Sequence, residues 1–122
     1  MRPYRLRLLL PAGIAAAAAL AASGAAAHHG WGGYDADRTL NLAGTIEASS
    51  YENPHGELRL RTPEKVWRVI LAPPARMQNR GLPAEMIRPG TPATVVGYPH
   101  KTDPVEMRAE RITVNGRTVE LR

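Results

Sequence analysis

The sequence predicts a mainly β protein. It would be a small barrel of five or six strands with a short helical connection between strands three and four, preceded by a cleaved signal helix. Three observations carry this reading. Short segments of alternating apolar and polar residues recur from Thr39 to the end of the chain, bounded by Pro, Gly and Asn turns. One stretch, Pro73 to Gly90, breaks the alternation with two proline-led segments that end in glycine, the asymmetry of short helices. The 122 residues include no cysteine. A small exported domain without disulfides hides its edges economically by closing its sheet.

The first 27 residues read as a targeting segment. Arg2, Arg5 and Arg7 precede an apolar run from Leu8 to Ala22, and small residues continue to Ala27. A basic start, a short apolar centre and an A-x-A exit mark a secretory signal peptide. The run is shorter than the roughly 20 residues of a spanning helix, and Pro11 and Gly13 interrupt it. There is no adjacent arginine pair for the twin-arginine route. Cleavage after Ala27 makes His28 the first residue; cleavage after Ala26 leaves Ala27-His28-His29. The expected location is the periplasm, with no membrane anchor after cleavage.

Removing 27 of 122 residues leaves 95, enough for one small domain. The net charge of +5 loses three arginines with the signal, leaving 13 basic against 11 acidic residues, or +2. That charge is spread evenly, unlike the clustered Lys and Arg of a nucleic-acid binder, so no nucleic-acid partner is expected. The organisation reads as a signal peptide over 1–27, an extended arm over 28–38 and a barrel domain over 39–122.

The elements follow in order. Gly30 to Asp35 is glycine-rich and carries Trp31 and Tyr34, an arm expected to lie on the domain. Strand one runs from about Thr39 to Ser49, with Leu40, Leu42, Ile46 and Ala48 on one face. Gly44 shares that face, and a glycine inside a strand often marks a sharp barrel bend. "ENPHG", Glu52 to Gly56, suits a type I turn. Strand two points Leu58 and Leu60 inward. "TPEK" turns into strand three, "VWRVILA", with Trp67, Val69 and Leu71 inward. Pro73 to Gly81 and Leu82 to Gly90 supply one or two helical turns, with Pro83 at the first helical position. Strand four covers Thr91 to Pro99. In strand five Met107 and Ala109 share one parity and Ile112 and Val114 the other, so a β-bulge is expected near Glu110–Arg111. Asn115-Gly116 is a strong hairpin signal, and folding about it sets Ile112 opposite Val119 and Arg111 opposite Glu120. Three strands, a helical connection and two or three more strands is the order of an OB-like barrel.

Four histidines fall after the signal: His28, His29, His55 and His100. Copper(II) favours imidazole and amine nitrogen. If His28 is first, its amine and ring chelate one ion together, in the manner of a histidine brace. If Ala27 is first, the amine, two backbone amides and His29 make a square-planar site. A histidine pair on a flexible arm also needs no purpose, and its spacing is far less specific than a zinc-finger pattern. His55, in the Asn-Pro-His turn, reads as a turn residue or as a third ligand that meets the folded arm. His100 reads as a surface loop residue. Met77, Met86 and Met107 are scattered and read as core filler. Asp35 and Asp37 lack the longer acidic pattern of a calcium loop. No nucleophile elbow, catalytic cysteine or P-loop is present, so no enzyme is expected.

These residues resemble a family of small secreted bacterial proteins of uncharacterised function. The matching features are His28, His29 and Trp31 after a signal peptide, Gly44-Thr45-Ile46, Asn53-Pro54-His55, Trp67, Arg80-Gly81-Leu82 and the strand from Pro89 to Gly97. The resemblance covers essentially the whole chain after the signal. It implies a periplasmic OB-like domain and no particular reaction.

Three functions compete. The first is a periplasmic copper-binding protein using His28, His29 and His55. The second is a metal-independent module for a periplasmic protein or ligand, offering Trp31, Tyr34, Tyr51 and Tyr98 as a surface and Arg59, Arg61 and Arg68 to steer an anion. The third, with least support, is an oxidative copper enzyme with His28 as its first residue.

Overall fold

A strand that serves two partners must bend between them, and β1 (Leu40–Ser50) does so at Gly44. In the computed structural model, which describes Pro3 and residues 30–122, the first half of β1 pairs antiparallel with β4 (Pro92–Pro99). Its second half pairs with β2 (Glu57–Arg61). A Cβ at Gly44 would lie 2.1 Å from the Arg61 carbonyl oxygen, so only glycine permits the crossing. The rest of the expected signal segment, together with His28 and His29, lies outside the described residues.

β2 pairs with β3 (Val66–Ile70), and β4 pairs with β5 (Glu106–Val114). The ring closes where β3 and β5 run parallel, from Arg68 opposite Glu106 to Ile70 opposite Arg108. Five strands therefore form a barrel in the order β1-β2-β3-β5-β4, and β6 (Arg117–Glu120) extends from β5. This is the OB-like barrel with its extra strand. α1 (Pro74–Asn79) and a single 3-10 turn (Ala84–Ile87) connect β3 to β4. Met77, Leu82 and Ile87 from this connection are buried against the barrel core. Gly81 and Gly90 adopt the left-handed backbone that ends each segment.

The alternating pattern defines the inside. Ile46, Leu58, Leu60, Trp67, Val69, Val95, Met107 and Ile112 meet in one cluster, which supplies a core without phenylalanine. In β5, Val96 faces Arg111 while Gly97 faces Ala109, so Glu110 is the extra residue of a bulge. The final hairpin has Asn115 and Gly116 both at positive φ, with Ile112 opposite Val119 and Arg111 opposite Glu120.

Three local details differ from expectation. Gly56 N–H donates to Ala72 O and not back to Asn53 O, so the Glu52–Gly56 bend, which contains a cis Asn53–Pro54 peptide, is not the hydrogen-bonded type I turn expected. Pro83 caps the 3-10 turn instead of opening it. Residues 30–38 are a pair of turns, closed by Tyr34 N–H to Trp31 O and Arg38 N–H to Asp35 O, not an extended segment.

Candidate functional site

The site lies on the outer face of the closure seam. Trp67 and Val69 point inward, so Arg68 and Ile70 point outward. Met107 and Ala109 point inward, so Glu106 and Arg108 point outward. Such residues would ordinarily be solvated, yet Ile70 is 3%, Arg108 7% and Glu106 9% exposed.

The arm accounts for the burial of Glu106 and Arg108. Tyr34 forms a bridge with His100, Asp35 N–H donates to Pro99 O, and Lys101 N–H donates to Gly33 O. The Tyr34 hydroxyl donates to Glu106 Oε2 at 2.8 Å. Arg108 Nη1 donates to Gly30 O at 3.0 Å. Trp31 packs edge-on against Tyr34 and Tyr98. The guanidinium carbons of Arg108 and Arg122 stand 4.5 and 4.6 Å from its ring centre. Burial lowers the affinity of Arg108 for its proton and raises that of the Tyr34 phenol, which the hydrogen bond to Glu106 raises further.

Beside the arm is a cavity of about 260 Å³, lined by Gly33, Tyr34, His55, Arg68, Ile70, His100 and Glu106. His55 comes from the β1–β2 loop and His100 from the start of the β4–β5 loop, the two loops with which OB barrels commonly meet ligands. Arg68 is already committed. Its Nη2 and Nε donate to Glu57 at 2.7 and 3.1 Å, and its Nη1 donates to Glu106 at 3.0 Å. The Arg68 hydrogen bond holds the Glu57 carboxyl below its ordinary pKa, against the opposing effect of burial. Arg68 and Glu106, the charged lining residues, balance each other, and Glu57 and Arg108 flank them with one charge of each sign.

The two histidines have different surroundings. His100 Nδ1 accepts backbone N–H groups from Asp103 at 2.9 Å and Thr102 at 3.2 Å. Its lone pair is therefore used on that side. The neutral ring carries its proton on Nε2, 3.8 Å from Glu106 Oε2. His55 differs. Its Nδ1 is buried without a hydrogen-bond partner, 4.0 Å from Glu57 Oε1, a distance too long for a hydrogen bond that would fix its tautomer.

Among the described residues, no three His, Cys, Asp or Glu side chains are grouped to hold a metal ion. A metal site here needs a donor from outside them, and His29 directly precedes Gly30. The other sequence candidates are placed elsewhere. Met77 and Met107 are buried in the core and Met86 packs against it. Asp35 Oδ1 accepts Asp37 N–H in a local turn. The Tyr51 hydroxyl donates to Leu82 O. Arg61 pairs with Glu47. His100 is not the plain surface residue expected, because the bridge to Tyr34 draws it into the cavity wall. Sequence reading also missed Glu106 and Arg108, although their alternation with Met107 and Ala109 marks them as one outward pair.

A model of the family of unknown function DUF6152 matches residues 16–107. No curated protein matches the chain. Among solved structures, the chain is similar to one in the crystal structure of a complex of TiaS with tRNA and ATP, at 20% identity and a TM-score of 0.49. That similarity covers 73% of this chain and 20% of the other. The chain belongs to the DUF6152 family.

Proposed function

We propose that this member of the DUF6152 family is an exported, periplasmic protein that binds copper(II) where its N-terminal arm meets the barrel. The ligands are His28 and His29 with the new terminal amine, joined by His55. The observation that carries this reading is the His55 ring, with Nδ1 turned to Glu57, in the wall of a cavity against which the arm is pinned. At about 3.6 Å per residue, His28 Cα lies within roughly 7 Å of Gly30 Cα, and Gly30 is held by Arg108. Nitrogen donors, and thioethers buried in the core, favour copper(II) over copper(I).

The alternative, a metal-independent module using arginines to read an anion, has less support. Arg61 and Arg68 already pair with carboxylates of this chain.

The test is calorimetric titration of the processed protein with copper(II), with electron paramagnetic resonance of the product. Sub-micromolar binding is expected. It should weaken in His55→Ala and collapse in the His28→Ala, His29→Ala double variant. Tight binding that survives the double variant overturns the reading. Intact mass of the exported protein checks both cleavage and metal stoichiometry.

A further inference from the structure

The side chains around the cavity bond to one another and still keep bonding capacity in reserve. A guanidinium carries five N–H donors. Arg68 spends Nε–H and one Nη2–H on Glu57 and one Nη1–H on Glu106, so two remain. A carboxylate offers about four lone-pair sites. Glu106 accepts from the Tyr34 hydroxyl and from Arg68, so about two remain. The Nε2–H of His100 stands 3.8 Å from Glu106 Oε2, too far for a hydrogen bond. The wall therefore holds unused donors and acceptors side by side.

Charge and size narrow what fits there. Arg68 and Glu106 are already matched to each other, so an added anion meets Glu106 and an added cation meets Arg68. A hydroxyl is uncharged and both donates and accepts, so a ligand bearing several hydroxyls uses both kinds of group at once. Ile70, only 3% exposed, and Tyr34 add apolar surface to the same wall. An apolar cavity of about 150 Å³ holds a benzene ring. At about 260 Å³, this one holds one six-membered ring with its substituents. His55 and His100 bring the β1–β2 and β4–β5 loops to its rim, the loops with which OB barrels bind oligosaccharides.

We propose that the cavity is a subsite for one pyranose ring of an uncharged saccharide, whose hydroxyls bridge Arg68, Glu106 and His100 while Ile70 and Tyr34 meet its ring carbons. Such binding goes beyond the copper reading and needs no residue before Gly33.

The experiment follows amide shifts of the metal-free, isotope-labelled processed protein by nuclear magnetic resonance. The probes are the methyl glycosides of glucose, galactose, mannose and N-acetylglucosamine. Acetate, tetramethylammonium and glycine serve as anionic, cationic and zwitterionic comparisons. At least one glycoside should bind in the millimolar range, with shifts grouped at Gly33, His55, Ile70 and His100, and more tightly than any charged probe. His100→Asn keeps an acceptor for Thr102 and Asp103 but removes the Nε2–H, and should weaken binding about three- to tenfold. A Cβ at Gly33 would lie 3.5 Å from His100 Nε2 without a clash, so Gly33→Leu should fill the cavity and abolish binding in a folded protein.

No grouped shift from any glycoside at tens of millimolar overturns the proposal. So does tighter binding of a charged probe, or glycoside binding that persists in Gly33→Leu. Should Gly33→Leu fail to fold, His100→Asn decides, and unchanged affinity there overturns it. Copper(II) is absent from every sample. A protein that binds a glycoside but no copper(II) therefore keeps this proposal and loses the functional reading, and the converse result does the opposite.

Discussion

Replacing Trp31 with alanine should free the arm without unfolding the barrel. Trp31 contacts two guanidiniums and the edges of two tyrosines. Arg108 is nearly buried, so its cation–π contact belongs near the desolvated value of about 2 kcal/mol. Arg122 is half exposed, which places its contact near about 0.5 kcal/mol. The two edge-to-face tyrosine contacts add about 0.5 kcal/mol each at the low end of their range. These terms share one ring and do not add fully, so about 2 kcal/mol is a fair net loss. That corresponds to an arm that opens roughly 30-fold more often, at 1.4 kcal/mol per factor of ten. Native-state amide exchange reads this directly at Asp35 N–H and Lys101 N–H, which bond across the arm–barrel boundary to Pro99 O and Gly33 O. Core amides such as that of Leu60 should keep their protection. Unchanged exchange at Asp35 and Lys101 would refute the assignment of Trp31 as an anchor. Equal acceleration at Leu60 would show that the arm and barrel open as one unit.

Further outcomes follow from other contacts. His100→Asn should leave the copper(II) spectrum unaltered, because Nε2 of the native ring carries a proton and the asparagine oxygen can still accept from Thr102 and Asp103; loss of a nitrogen ligand in that spectrum would contradict the tautomer assigned here. Gly97→Ala should destabilise the barrel by about 3 kcal/mol or more, since its Cβ would lie 1.9 Å from the Arg108 carbonyl oxygen; urea denaturation measures it, and a neutral result would refute the close approach. The Glu57 carboxyl sits below its ordinary value of 4.5 because Arg68 donates to it. Its contribution to stability is therefore complete above that value and is lost as pH falls through the lower folded one. The urea midpoint should drop as the pH falls below 4.5, and Glu57→Gln should flatten that drop; an equally steep drop in the variant would remove Glu57 from the account.

What was legible in the sequence was whatever depends on neighbours in the chain. Alternation set the inward faces of β2 and β3, because strand periodicity is local. The parity slip between Ala109 and Ile112 gave the bulge at Glu110, and Asn115-Gly116 gave the register of the last hairpin. The site was less legible because it is assembled by closure. Arg68 and Glu106 are 38 residues apart, and only the parallel pairing of β3 with β5 makes them neighbours. Alternating charges on β5 would form a solvated face if the arm did not cross them. His100 was misjudged for the same reason. Its loop sequence is ordinary, and its role comes from Tyr34, 66 positions earlier in the chain.

The arm also decides how much a histidine pair is worth. On a free tail, two imidazoles and an amine bind copper(II) at the cost of ordering that tail, and a third ligand on the barrel adds a further loss of chain freedom. Here the ordering has a separate source. Trp31 and Tyr34 fix residues 30–35 through contacts that contain no metal. With Gly30 already placed, joining His55 to the arm histidines becomes an intramolecular step at high effective concentration, because the connecting tether is so short. On this reading the barrel contributes one imidazole and a docking surface, and the docking surface has the larger effect on affinity. That ordering of effects is measurable. Trp31→Ala leaves every proposed ligand in place, yet it should weaken copper(II) binding by at least as large a factor as His55→Ala. If the anchor variant binds copper(II) as the native protein does, pre-docking contributes nothing and the barrel imidazole must find the ion unaided.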